Sequence, residues 1–247
     1  VLDYMRQLIA TLNNEGKLGT ARNYVRTVNS FSAFLRGKDI PFSVLKEDII
    51  LAYNNWLKMR NISRNSSSFY MRILRSVYNK AVNLNMVEQT YPFKNVYTGV
   101  DRTRKRAINE DIIMQMQMMK LDDLPALSLA RDLFVFSYCT RGMSFIDMAY
   151  LKKCDILGDI ISYCRHKTGQ RLHIYVEPCM RSIIGKYAEA TEKIPYVFPI
   201  IFATDTIIAY KQYQTALGYY NKKLKDLFKL MGLNEPISFY AARHTWA

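Results

Sequence analysis

Three basic side chains in this sequence are of the types that could hold and open a phosphodiester. Arg141 lies in "YCTRGMSFIDMAYL" directly after an apolar helical stretch, Lys167 lies in the turn "RHKTGQ", and Arg243 opens a late helix in "SFYAARHTWA". Transesterification at a DNA phosphate builds negative charge on the non-bridging oxygens. Two guanidinium forks can hold those oxygens through paired charge-assisted hydrogen bonds. Donors arranged in advance act mainly on the transition state. The leaving 5′-oxygen then needs a proton, and an ammonium at a hairpin tip is able to deliver one. A turn lysine alone is ordinarily a solvated charge; only the accompanying arginines give Lys167 a chemical reading.

The composition suits a polyanionic partner. The 247 residues carry 35 Lys+Arg against 21 Asp+Glu, a net charge of +14 and a pI of about 9.6, which favours nucleic acid. Residues 1–100 hold a surplus of eight positive charges and residues 101–247 a surplus of six, so no single basic tail accounts for the balance. Cys139, Cys154, Cys164 and Cys179 show no Cys-x-x-Cys pairing, and His166, His173 and His244 are the only histidines. That pattern argues against a zinc site or a disulfide framework. The longest apolar stretch, "LSLARDLFVFSYC", is broken by Arg131 and Asp132 and is too short to span a bilayer. No signal peptide is visible, so a reducing cytoplasm is the expected compartment. Val1 is not an initiator methionine and the last helix has no stop signal, so a piece of a longer protein is expected.

The elements that must position the three cations follow from periodicity and turn chemistry. "LDYMRQLIATLNNEG" reads as a first helix. Thr20 opens a second, with Tyr24, Val28, Phe31 and Leu35 at helical spacing before Gly37. A third follows "DIPFS" with Ile49, Ile50, Tyr53, Trp56 and Leu57, and a fourth starts after "RNSSS" with Phe69, Ile73, Leu74, Val77, Tyr78 and Ala81 as its apolar stripe. Later come a methionine-rich helix around Ile112–Met119, read as core filler, and the buried helix "ALSLARDLFVFSYC". "DILGDIISYCRHKTGQRLHIYV" alternates in the manner of a short antiparallel sheet with turns at Leu-Gly-Asp and Lys-Thr-Gly-Gln. Further helices are expected at Met180–Ala190 and Ala216–Met231, and Pro236 and Ser238 signal the start of the last one, Ser238 through its side-chain oxygen.

The chain has no acid between Asp48 and Glu88. Within that stretch Arg60, Arg64, Arg72, Arg75 and Lys80 are interleaved with Asn54, Asn55, Asn61, Asn65, Ser66, Ser67 and Ser68, a composition suited to meeting phosphate. "DRTRKRA" adds Arg102, Arg104, Lys105 and Arg106 as a candidate linker that tracks a DNA backbone.

The order of arginine after a buried helix, lysine on a β-turn and Arg-His-Thr at a late helix start resembles the tyrosine recombinase (phage integrase) family. The likeness is nearest to integrases of mobile and conjugative elements, through "RGMSFIDMAYL", "KTGQ" and "RHTWA". It implies a mainly α (α+β) protein: a helical SAM-like core DNA-binding domain over 1–98, a basic linker over 99–107, and a mixed helical catalytic domain with a small antiparallel β-sheet over 108–247. It implies Arg141 and Arg243 as phosphate clamps and Lys167 as general acid. Three departures accompany it. Ser144 occupies the usual first-arginine slot, one helical turn beyond Arg141. Tyr240 stands for the histidine of His-x-x-Arg; its phenol donates a hydrogen bond but is a poor base at neutral pH. The nucleophilic tyrosine of the family has no counterpart in context among the 18 tyrosines. Asp147 matches an acidic family position and is expected to fix Arg141 or a helix end, and His244 to orient its helix.

The implied activity is site-specific recombination of double-stranded DNA through a 3′-phosphotyrosyl bond. It requires no metal and no cofactor, because the covalent link conserves the phosphodiester energy. An arm-binding domain ahead of Val1, a clamp around the duplex and a homotetramer on paired sites go with the family. The alternative is a catalytically inert recombinase-like DNA-binding protein that kept the clamp, in line with Ser144 and Tyr240. A helical RNA-binding protein fits the charge but not the ordered cations.

Overall fold

In the computed structural model, residues 1–103 and 106–246 are described. They form two compact units, Val1–Thr103 and Arg104–Ala247.

The first unit is helical. Helices α1 (Leu2–Asn14) and α2 (Leu18–Phe34) pair across a turn in which Gly16 takes a φ of 70°. Helix α3 (Glu47–Met59) and helix α4 (Arg64–Asn83) complete the unit. Phe31, Tyr53, Leu57, Leu74 and Tyr78 are buried at its centre, with Phe31 edge-on to Tyr53 at 5.0 Å. Burial raises the Tyr53 phenol pKa, and its hydroxyl is matched to Ser30 Oγ at 2.7 Å. Helix α4 begins earlier than "RNSSS" suggests: Ser63 Oγ accepts the Ser66 N–H, so Arg64 to Ser68 are already helical. The buried stripe is therefore Ser67, Ser68, Met71, Leu74, Val77, Tyr78 and Ala81, with Met71 in the place expected of Phe69.

The second unit wraps helices around α6 (Pro125–Cys139). That helix is apolar on nearly every face, as a central helix must be, and it packs against α5 (Glu110–Met118), α8 (Pro178–Lys186), α9 (Thr206–Leu230) and α10 (Tyr240–Trp246). Its one buried acid, Asp132, is satisfied by Arg131 Nε at 2.7 Å, Lys186 Nζ at 2.7 Å and the Tyr187 hydroxyl at 2.6 Å, which offsets the cost of burying a charge. Helix α7 (Phe145–Ala149) leads to a three-stranded antiparallel sheet in the order β1 (Ile156–Leu157), β2 (Ile160–Cys164), β3 (Arg171–Tyr175). The register pairs Ile161 with Ile174 and Cys164 with Arg171. The mainly helical class with its small antiparallel sheet is thus as expected.

Two expectations need correction here. Of the α5 methionines only Met116 is core; Met114 and Met118 are 53% and 82% exposed. Helix α9 opens at Thr206, not Ala216, because Asp205 Oδ1 accepts the Ile208 N–H and caps it there.

Candidate active site

The arginine turn is built by the way α6 stops. The Gly142 N–H reaches back to the Ser137 carbonyl at 2.8 Å and the Arg141 N–H to the Tyr138 carbonyl at 3.0 Å, the paired bonds of a Schellman helix end. Arg141 and Gly142 both take left-handed φ values, 59° and 76°. The same Arg-Gly ending closes α2 at Arg36 and Gly37, so the backbone of Arg141 reflects capping geometry. What distinguishes Gly142 is its neighbour: a Cβ there would lie 2.7 Å from the Cα of Arg243.

Helix α10 is thus drawn against this turn. Arg243 Nε donates to the Gly142 carbonyl at 2.7 Å, and buried Ala241 and Ala242 allow the close approach. At the helix start the Phe239 N–H donates to Asn221 Oδ1 of α9, and it is the Ser238 carbonyl that accepts the Ala241 N–H. His244 Nδ1 accepts the Arg106 N–H at 3.0 Å and Thr245 Oγ1 accepts the Ile108 N–H at 3.0 Å. His244 therefore ties the segment ahead of α5 to α10.

The hairpin is fixed to α7 by Asp147. One carboxylate oxygen accepts the Ser144 hydroxyl at 2.6 Å and the other the His166 N–H at 2.8 Å. Asp147 thus holds a helix end and the turn that carries Lys167, and its bonds go to these groups, not to Arg141. Ser144 caps α7.

A cleft of about 430 Å³ is lined by Thr140, Arg141, Tyr163, Arg165, His173, Arg243 and Trp246, among others. It brings Arg141 and Arg243 together although they are a hundred residues apart in sequence. Lys167 is exposed on the β2–β3 turn and is not among the described residues lining the cleft. Ser144 and Tyr240 line a neighbouring cavity of about 260 Å³ that shares Arg243 with it. Tyr240 is 59% exposed, its ring centroid 6.0 Å from the Arg243 guanidinium. Burial pushes the Tyr163 phenol up to about 12; Asp147 adds to the shift, while Arg165 and Arg243 oppose it. Arg165, Tyr163 and His173 are further residues of the cleft; alternation along β2 puts Tyr163 and Arg165 on one face, whereas His173 pairs with Ser162 on the other and had no such signal. No cluster of three or more metal-ligating side chains occurs among the described residues.

In the first unit, Arg60, Arg64, Arg72, Arg75 and Lys80 are all exposed. Arg60 lies over Trp56 at 4.1 Å and Arg64 over Tyr97 at 3.9 Å, with Asp101 at 3.5 Å from Arg64. Arg75 donates to Thr98 Oγ1 at 3.0 Å. Several polar residues expected to meet phosphate are used internally: Ser67 donates to Asn54, Ser68 to the Gly99 carbonyl, and Asn65 pairs with the Asp101 backbone. Gly99 to Asp101 are therefore strapped to α4. Arg102 and Arg106 are exposed; Arg104 and Lys105 lie outside the described residues.

Comparison with known proteins agrees with this geometry. Residues 1–96 match the phage integrase SAM-like domain. No curated protein sequence matches the chain. Among solved structures, a lambda integrase (75–356) dimer bound to a COC′ core site superposes with a TM-score of 0.70 at 16% identity, over 99% of this chain and 87% of that one. Lambda integrase (residues 75–356) bound to DNA gives 0.68 at 16%, over 99% and 84%. The Tn1549 transposon integrase with a circular intermediate DNA gives 0.68 at 15%, over 98% and 85%. The fold is that of the integrases. The family match covers residues 1–96, and over nearly its whole length the chain shares the fold of these solved integrases.

Proposed function

We propose that this protein is a site-specific DNA recombinase of the mobile-element integrase type, cutting and rejoining DNA through a 3′-phosphotyrosyl intermediate. The observation that carries this is the meeting of Arg141 and Arg243 in one cleft of an integrase fold. Their guanidinium groups bind the non-bridging oxygens of the scissile phosphate and stabilise the charge that grows there. Lys167, on a turn anchored through His166 to Asp147, protonates the leaving oxygen once DNA fills the site. Tyr240 supplies a hydrogen bond in place of an imidazole.

The exposed cations of α4, together with Arg102, Arg104, Lys105 and Arg106, bind the duplex backbone, with 1–98 as the core-binding domain, 99–107 as the linker and 108–247 as the catalytic domain. Lambda integrase has been solved as a tetramer on a Holliday junction, which supports a homotetramer on paired sites for the full-length protein. Among the described residues no helix is long and apolar enough to cross a membrane, and a protein acting on DNA in this way works in the cytoplasm. None of the 18 tyrosines of this chain is assigned as the nucleophile.

A second reading, an inert DNA-binding relative, is favoured by one observation: the Ser144 hydroxyl is spent on Asp147 and the α7 cap. A nicked suicide substrate separates the two. Residues 1–247 should bind duplex DNA and form no covalent adduct, whereas a protein that also carries the nucleophile should form one. Arg243→Ala should abolish that adduct and Lys167→Ala slow it, the lysine defect shrinking when the leaving oxygen is replaced by sulfur. An adduct from residues 1–247 alone would place the nucleophile among the tyrosines present. No adduct from the longer protein would leave the inert reading.

A further inference from the structure

We infer that Arg165 is a third phosphate-binding guanidinium of the cleft, holding a DNA backbone oxygen beside Arg141 and Arg243. This rests on the DNA-binding reading above and assigns a residue that the ordered Arg, Lys, Arg set does not contain.

Strand alternation sets its direction. Ile161 and Tyr163 point to the buried face of β2, and Arg165, two residues further, falls on that face. Its backbone is held at the base of the turn: the Arg165 N–H donates to the Gln170 carbonyl and its own carbonyl accepts the Gly169 N–H, both at 2.8 Å. Arg165 and Lys167 thus share one closed turn.

The side chain is left unsatisfied. Arg165 Nε is buried with no hydrogen-bond partner, a condition native proteins rarely tolerate without a ligand to complete it. The cleft it lines is also lined by Arg141 and Arg243. Among the described residues no carboxylate forms an ion pair with Arg141, Arg165 or Arg243. Asp147, which acts on the β2 phenol of Tyr163, has committed both oxygens to Ser144 and His166. That Arg165 and Arg243 both act on the same buried phenol is consistent with their sharing one small region. Three like charges, none of them paired directly with a carboxylate, repel one another. A tetrahedral oxyanion, whose several oxygens each accept from a planar fork, resolves both the repulsion and the orphaned donor.

The test is binding of residues 1–247 to a fluorescein-labelled duplex of random sequence, followed by anisotropy, with Arg165→Ala, Arg243→Ala and the double variant. Arg165→Ala should weaken binding by about tenfold or more. The double variant should lose less than the product of the single losses, because both groups serve one phosphate. Thermal stability of Arg165→Ala should be unchanged or higher, since an unpartnered buried donor is removed; a merely structural arginine would lower it and leave the affinity of folded protein intact. Arg165→Lys keeps the charge without the fork and should bind less tightly at unchanged stability, which keeps the test open should the alanine variant not fold. Full affinity in Arg165→Ala beside weakened Arg243→Ala, or strictly multiplicative losses, would overturn the inference and leave the DNA-binding reading standing. Failure of the unaltered protein to bind duplex DNA would remove that reading itself.

Discussion

Replacing Gly142 by alanine tests whether the arginine turn and α10 are as closely coupled as the structure shows. Gly142 has a φ of 76°, and an added Cβ would sit 2.7 Å from Arg243 Cα and 2.9 Å from its Cβ. The first contact is with backbone, so no side-chain rotation relieves it. The left-handed conformation costs an L-residue about 1–2 kcal/mol, and forcing a methyl group into a packed contact costs about 1–3 kcal/mol more. The total is roughly 2–5 kcal/mol.

Gly158 provides the control. Its φ is 58°, and nothing lies within 4 Å of a built Cβ, so Gly158→Ala should lose only the conformational part, about 1–2 kcal/mol. Urea unfolding in a Trp56→Phe background, so that tryptophan emission reports Trp246 alone, with midpoints compared at constant slope, measures both. Gly142→Ala should also weaken duplex binding, because any retreat of α10 stretches the 2.7 Å bond from Arg243 Nε to the Gly142 carbonyl and shifts the guanidinium proposed to hold phosphate; Gly158→Ala should not. Equal destabilisation by the two substitutions would refute the clash. Intact DNA affinity in a destabilised Gly142→Ala would refute the coupling.

Three further outcomes are expected. Asp147→Ala removes the acceptor of the His166 N–H and of the Ser144 hydroxyl, so it should cost about 1–3 kcal/mol and speed hydrogen exchange at the His166 amide, read by NMR; an unchanged exchange rate would free the lysine turn from Asp147. The Tyr163 phenol, pushed up to about 12 chiefly by burial, binds its proton more tightly folded than unfolded. Its contribution to stability is whole below the unfolded pKa near 10 and is lost as pH rises toward 12, at about 1.4 kcal/mol per pH unit. Tyr163→Phe should flatten that alkaline decline in denaturation curves, and an identical slope would contradict the assignment. Cys139, held up to about 12 by burial first and then by Cys179, whose sulfur is 3.4 Å away, should be alkylated by iodoacetamide at mildly alkaline pH well after the exposed Cys154 and Cys164; mass spectrometry showing Cys139 labelled as fast as these would count against its thiol state.

Much of this protein was legible locally. The β-hairpin was readable because its alternation and its turn glycines act within a few residues, and α6 because an apolar stretch of that length has no other stable place than a core. Element edges were less legible where two capping residues competed: Ser63 and the serines after Asn65 are both plausible helix starts, and only packing of Ser67 and Ser68 against α3 and the Gly99 segment chose the earlier one. Helix α9 hid its first turns because Tyr210, Gln212, Tyr213 and Gln214 stand where an aliphatic stripe would announce a helix; Tyr213 packs on Phe145 of α7, and Gln212 accepts the Phe202 and Ala203 N–H groups. The chain order of Arg141, Lys167 and Arg243 was visible in sequence; their placement was not. Which basic groups share a cleft depends on Gly142 meeting Arg243 across 101 residues and on the face of β2 that the sheet turns inward. Local propensity cannot encode contacts at that separation, so the entry of Arg165 into the cleft, and the position of Lys167 on the exposed turn beyond its lining, were decided by tertiary packing alone.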